Sequence, residues 1–229
     1  MMRGVTARKS VAKPILTEPI LSVASVAEWH AWLASQHGRS TGVLLRIAKI
    51  GAEGSITYAE ALDGALAWGW IDSRKCALDA NAWLQRFTPR KARSPWSKIN
   101  RAKAETLIAE GRMQPPGLAE VARAKRDGRW ERAYDGARAS EMPADLAAAF
   151  AGNVRARAFF ETLDGANRYA ILYRVQTARL PETRAGRITR FVAMCERRET
   201  LHPQRQARTG TRSARASKKA SQGKTESSA

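Results

Sequence analysis

"WIDSRKCALDANAWLQRFTP" (Trp70–Pro89) reads as two strands around a short turn, and the rest of the fold follows from it. The turn is Asp79-Ala80-Asn81, with the Asp and Asn that tolerate tight backbone geometry. Strict alternation puts Trp70, Asp72, Arg74 and Cys76 on one face of the first strand. Ile71, Ser73 and Lys75 take the other face. In the second strand Trp83, Gln85 and Phe87 alternate with Leu84 and Arg86.

The elements that pair with and cover this hairpin lie before it. "GVLLRIAKI" (Gly42–Ile50) is β-rich and sets Val43, Leu45 and Ile47 on one face. Ser25 caps a helix running to about Gln36, with Val26, Trp29, Trp32 and Leu33 at helical spacing and Glu28 three residues past the cap. Thr57 caps a second helix in the same way with Glu60, burying Ala61, Leu62, Ala65 and Leu66 and stopping near Trp68-Gly69.

After the hairpin the pattern is helical. Ser94-Pro95 reads as cap and first helical residue. Trp96, Ile99, Leu107 and Ile108 form the stripe of that helix, which Gly111 ends. Pro115-Pro116-Gly117 reads as a sharp break, followed by a helix over Leu118–Asp127 that Gly128 closes. Further helices are expected over Pro143–Phe150, Asn153–Leu163, Gly165–Ala178 and about Pro181–Arg198. In the last, Ile188, Phe191, Val192 and Cys195 make one buried face.

The expected class is therefore α+β: a small antiparallel sheet with packed helices in the N-terminal half, a helical C-terminal half, and disordered basic tails. The expected divisions are a basic arm at 1–14, an α+β domain at 15–135, a helical subdomain packed on it at 136–202, and a basic tail at 203–229. That tail has no large apolar residue and cannot offset its ordering entropy.

Lys and Arg outnumber Asp and Glu by 40 to 21 over 229 residues, giving a net charge of +19. Residues 1–14 carry four bases and no acid, and 203–229 carry seven bases and one acid, so 15–202 is itself basic. Such a chain attracts polyanions: nucleic acid, anionic headgroups or acidic proteins. Two cysteines, Cys76 and Cys195, are too few for a disulfide framework and fit reduced thiols in a cytoplasm. No stretch approaches a membrane span. Val11–Ile20 is interrupted by Lys13, Pro14, Glu18 and Pro19, so it does not read as an export signal.

Charge and foldable sequence coincide in "QRFTPRKARSPWSKINR" (Gln85–Arg101), which has six bases and no acid. A helix start exposes unpaired N–H groups and the positive end of the helix dipole, which favour an anion. Arg86, Arg90, Lys91 and Arg93 precede that start, and Ser94, Trp96, Ser97 and Asn100 lie in or beside its first turn. The segment is thus a candidate anion site. The competing reading is a capped helix behind a solvated basic loop. Trp68 and Trp70 in "AWGWIDS" are spaced to share a strand face, either lining a pocket or packing in the core. Asp72 on that face pairs with backbone or with Arg86 or Arg90, and is the best general acid/base if the protein is an enzyme. Cys76, flanked by Arg74 and Lys75, is reactive only if exposed. His30, His37 and His202 make no metal-ligand spacing, and no nucleophile elbow or Gly-rich phosphate loop is present. No catalytic residue, cofactor or metal is expected.

"LAWGWIDS", "QRFTPRKARSPWSKIN", "LIAEGRMQPPG", "AKRDGRW", "MPADL" and "PETRAGRI" occur in that order between Leu66 and Ile188. The series resembles the YdeI/OmpD-associated family of bacterial proteins, also called bacteriocin-protection proteins, over about Ala27 to Pro203. The resemblance implies an α+β front half, a helical C-terminal segment, a link to tolerance of cationic antimicrobial peptides and to an outer-membrane porin, and no catalytic residues to carry over. Three functions follow as expectations. The first is stress protection by binding an anionic ligand or acidic partner. The second is nucleic-acid binding through the same bases and the tails. The third is an enzyme acting on a small anionic substrate. A chain at +19 repels a cationic peptide, so direct sequestration of such peptides is not expected.

Overall fold

The computed structural model describes residues 18–52 and 54–204. The arm expected at 1–14 and the tail from 205 onward lie outside the described residues. The chain divides between Ala139 and Ser140 into two compact units.

In the first unit the order is β1 (Ile20–Leu21), α1 (Val26–Gln36), β2 (Val43–Ala48), α2 (Tyr58–Ala67), β3 (Trp70–Ala77), β4 (Ala82–Pro89), α3 (Lys98–Ala109) and α4 (Pro115–Arg126). The sheet order is β1-β2-β4-β3. The β2–β4 and β4–β3 pairs are antiparallel, as expected. The two-residue β1 adds a parallel pair on β2 that the sequence reading did not include.

Helix starts follow their caps. Ser25 Oγ accepts from the Glu28 N–H, while the Glu28 carboxylate takes the Ala24 N–H. Thr57 and Glu60 form a complete capping box. The hairpin turn is held by Asp79, whose Oδ1 accepts from the N–H groups of Asn81 and Ala82 at 2.7 Å each.

The register of β3 departs from strict alternation. Asp72 faces Phe87 and Lys75 faces Gln85, so Ser73 and Arg74 together oppose Arg86. This is a β-bulge, and it reverses the phase of every later side chain on the strand. Trp70, Asp72, Lys75 and Ala77 therefore share the face of Val43, Leu45 and Ile47, and Cys76 sits opposite Leu84 on the other face. The expected grouping of Arg74 and Cys76 with Trp70 fails for this reason. The Gln85 amide donates to the Ser73 carbonyl at 3.3 Å and supports the irregular backbone.

The helix-side core joins Trp29, Leu33, Val43, Leu45, Leu66, Trp70, Phe87, Trp96 and Trp130. Burying each side chain of this size contributes about 1.5–3 kcal/mol. Two expectations about the later helices are corrected. The α3 cap is Ser97, not Ser94, and the buried residues are Ala104 and Leu107, with Ile99 and Ile108 exposed. Pro115 and Pro116 do not break the chain but start α4, where a missing N–H carries no penalty. Gly117 is required there, because a Cβ would lie 2.2 Å from the Ala67 carbonyl oxygen.

The second unit is α5 (Ala144–Ala151), α6 (Val154–Thr162), α7 (Gly165–Gln176) and α8 (Pro181–Glu196). The Asn153 and Asp164 side chains cap α6 and α7. Leu146, Phe150, Phe160, Ile171, Val175, Ile188, Phe191 and Cys195 form its core. Three residues of the face expected on α8, Ile188, Phe191 and Cys195, are buried, and Val192 is partly so. Asn167 joins its chain end: its amide donates to the His202 carbonyl and its Oδ1 accepts the His202 N–H. Among the described residues no helix is long and apolar enough to cross a membrane.

Candidate anion site

At the end of β4 the Arg90 N–H donates to the Gly69 carbonyl at 3.0 Å. Gly69 has φ +75° and makes the sharp turn from α2 into β3 that presents this carbonyl. From there the Arg90 side chain runs inward and is 6% exposed. Its guanidinium stacks on the Trp96 ring, 3.6 Å from the centroid, and Nη1 donates to the Pro95 carbonyl at 3.2 Å. Those two contacts fix the plane and one corner of the fork. The opposite edge, Nε and Nη2, is buried, and no acceptor among the described residues reaches it. Burial presses the Arg90 pKa down to about 10, so the group remains a cation at neutral pH.

A second arginine arrives at the same backbone. After α4, Gly128 (φ +71°) turns the chain. Asp127 then grips Arg129, both oxygens lying 2.8 Å from its Nε. Arg129, 4% exposed, extends Nη1 to the Ser94 carbonyl at 2.7 Å. Successive carbonyls, those of Ser94 and Pro95, thus each take one guanidinium. Arg129 Nη2 and Trp96 Nε1 are also buried without an acceptor. Four donors, on Arg90, Trp96 and Arg129, are left unmet around one stretch of backbone. Each unmet buried donor costs about 1–3 kcal/mol.

The other expected site residues fall into two groups. Ser94, Ser97 and Asn100 build the segment. Ser94 Oγ accepts the Lys91 N–H, and Ser97 Oγ accepts the Asn100 N–H at 3.1 Å. Because the Tyr134 carbonyl takes the Lys98 N–H as well, the amides at the start of α3 are largely engaged. Those amides therefore have partners within the fold, while the buried Arg90 edge has none among the described residues.

The remaining residues do not join the site. Arg86 lies on the opposite sheet face from Asp72 and pairs with Glu18, its Nε 2.8 Å from Oε1. The Arg86 guanidinium holds the Glu18 carboxyl below its usual range. Lys91 and Arg93 are exposed. Trp70 is 1% exposed in the core, its Nε1 donating to the His37 carbonyl at 3.2 Å. Trp68 is not on a strand. It ends α2, and its Nε1 lies 3.3 Å from His30 Nδ1. Asp72 accepts from the Tyr58 hydroxyl at 2.8 Å, not from an arginine, although its charge and that of Glu120 favour the Arg90 cation.

Arg129 was not among the expected residues. It stands in "AKRDGRW", where Asp127-Gly128 signals a turn. Nothing local shows that a side chain 35 residues beyond Ser94 returns to its carbonyl. Among the described residues no group of three or more His, Cys, Asp or Glu is placed to hold a metal ion.

Comparison with known proteins divides the chain similarly. Residues 139–198 match the family model described as "Bacteriocin-protection, YdeI or OmpD-Associated". Residues 21–120 match one described as "Domain of unknown function (DUF8412)". The family likeness read from the sequence over Ala27–Pro203 thus rests on the second unit. The motifs from Leu66 to Gly117 fall in the other match, and "AKRDGRW" falls in neither. No curated protein and no solved structure matches the chain.

Proposed function

We propose, on the likeness of residues 139–198 to the family described as bacteriocin-protection, YdeI or OmpD-associated, that the chain is a protection protein that works by binding a small oxyanion in its first unit. The single observation behind this reading is the unmet Nε/Nη2 edge of Arg90, which stacks on Trp96. That edge is the side of a guanidinium that takes a carboxylate or phosphate through two parallel hydrogen bonds. The stack on Trp96 and the bond to Pro95 orient it before any ligand arrives. Arg90, a buried cation with no carboxylate hydrogen-bonded to it among the described residues, gains from a bound negative charge.

A net charge of +19 disfavours direct capture of cationic peptides, so protection acts through the anion or an acidic partner. The two cysteines are unbonded, in keeping with a cytoplasmic protein.

The test is a thermal-shift series on the full chain with phosphate, sulfate, acetate and citrate against chloride at matched ionic strength. At about 100 times its Kd an oxyanion stabilises the folded chain by about 2.7 kcal/mol. Arg90→Met should abolish that shift, while Lys91→Met and Arg93→Met should keep it. Wild type indifferent to every oxyanion, or Arg90→Met responding as wild type does, refutes the reading. A duplex oligonucleotide bound equally by wild type and Arg90→Met, and released steeply by salt, would credit the general basic surface instead.

A further inference from the structure

The bulge in β3 has a second effect, away from Arg90 and toward the hairpin turn. Under strict alternation Lys75 would point away from the face of Trp70 and Asp72. The extra residue turns it onto that face, diagonally across from Trp83. Its ammonium sits 3.8 Å from the Trp83 ring centroid, and no carboxylate among the described residues pairs with it. Tyr58, at the start of α2, lines the same space, its ring 5.8 Å from that of Trp83. The Tyr58 hydroxyl is turned away into its bond with Asp72, which leaves the ring as a flat apolar surface.

These residues border a cavity of about 860 Å³ that also takes in Ile47, Ile56 and Ala77. The volume is in the range of small-ligand sites, and the wall is mostly apolar and aromatic with a cation at its rim. Lys49, the other lysine of the cavity, is tied by its Nζ to the carbonyls of Asp79 and Ala80 at 2.8 and 3.0 Å. Lys75 is therefore the cation left for a ligand. The aromatic face holds its stem and head without neutralising it.

We infer that this cavity binds an amphipathic organic monoanion: an apolar, flat or extended body against Trp83, Tyr58, Ile47 and Ile56, with its carboxylate at Lys75. The site is separate from the one at Arg90 and does not depend on it. Bulges re-aim side chains beside functional sites, and here the bulge brings the Lys75 cation to this mostly apolar wall.

The test is calorimetric titration of the full chain with naphthalene-2-carboxylate and, as a neutral match, naphthalene-2-carboxamide. Wild type should bind the carboxylate saturably at one site and about fivefold more tightly than the amide, the worth of one partly exposed ion pair. Lys75→Met, which keeps the stem and removes the charge, should bind both equally. Ala77→Glu, at an exposed position on the same face, should weaken the carboxylate selectively. Arg90→Met should bind as wild type, so failure of this site and failure of the oxyanion site are distinguishable. No saturable heat with wild type, discrimination retained in Lys75→Met, or binding lost in Arg90→Met but kept in Lys75→Met would each overturn the inference.

Discussion

Arg184 in the second unit and Arg90 in the first are both inward-leaning arginines beside a helix, and their donors are disposed in opposite ways. Arg184 places Nε and Nη2 on the two oxygens of Asp145, at 2.6 and 2.9 Å, and Nη1 on the Val175 carbonyl at 2.8 Å. Its fork is filled, joining α8 to α5 and α7. Arg187 next to it donates to the Arg174 carbonyl. Arg90, more deeply buried, has one carbonyl and a ring face, and Arg129 has a carboxylate and a carbonyl but a bare Nη2. Charge counts from the sequence treat all four alike. The donors left over after folding distinguish Arg90 and Arg129 from Arg184, and the proposed oxyanion site rests on that difference.

The largest expected effect breaks this comparison at Arg129, which has a carboxylate and a carbonyl as partners and one unmet donor. Arg129→Ala removes a buried side chain, leaves the Ser94 carbonyl without its donor and frees the turn after α4. It should destabilise the first unit by about 2–3 kcal/mol. All seven tryptophans precede residue 131, so tryptophan fluorescence in a urea titration reports the first unit alone. A midpoint unchanged from wild type would show that Arg129 is not structural, and the contrast with Arg90 would vanish.

Arg184→Met should cost less, about 1 kcal/mol, because its pair with Asp145 is partly exposed and screened. It should appear in the far-ultraviolet circular dichroism of the helices and leave the tryptophan transition in place. The effect depends on pH. The hydrogen bond from Arg184 holds the Asp145 carboxyl below its usual range near 4. A depressed folded-state pKa means the unfolded chain takes up the proton first. The contribution is therefore complete above the ordinary aspartate value and is lost as pH falls through the lower folded value. The wild-type and Arg184→Met curves should converge in strong acid. A constant gap from pH 7 to pH 2 would show that the pair is not the source.

Much of the frame was legible because its signals are local. Ser25 and Thr57 are the caps their sequence context indicates, and Asp79 holds the turn. The errors came where distant residues decide. Ser94 and Ser97 are equally good caps by composition. The choice falls on Ser97 because Tyr134 pairs with the backbone there and fixes the Lys98 N–H. Period-two alternation gave the right faces for β2 and β4 and the wrong ones for β3 beyond Asp72, since no residue type announces the bulge. Arg90 alone of its charge run is buried. Its neighbours Lys91 and Arg93 carry the same charge and stay in solvent, because only Arg90 has Trp96 to lie on. Arg86 was assigned to the same cluster by proximity in sequence, but one step along a strand is a change of face.

The smallest expected change in stability discriminates most sharply between the two kinds of arginine. Arg90→Met keeps an unbranched apolar side chain against Trp96 and removes two buried donors that no protein group serves. Breaking a satisfied buried pair is costly, whereas replacing an under-satisfied buried cation with an apolar residue of similar length is often neutral or stabilising. In chloride the first-unit midpoint of Arg90→Met should therefore lie within about 1 kcal/mol of wild type, on either side. In a stabilising oxyanion the wild type should rise and the variant should not, so the order of the two proteins depends on the anion present. A loss above about 2 kcal/mol in chloride would mean that the Nε/Nη2 edge already has its partners in the folded protein. Arg90 would then belong with Arg184 as a tie between elements, and the first unit would hold no receptor of this kind for negative charge.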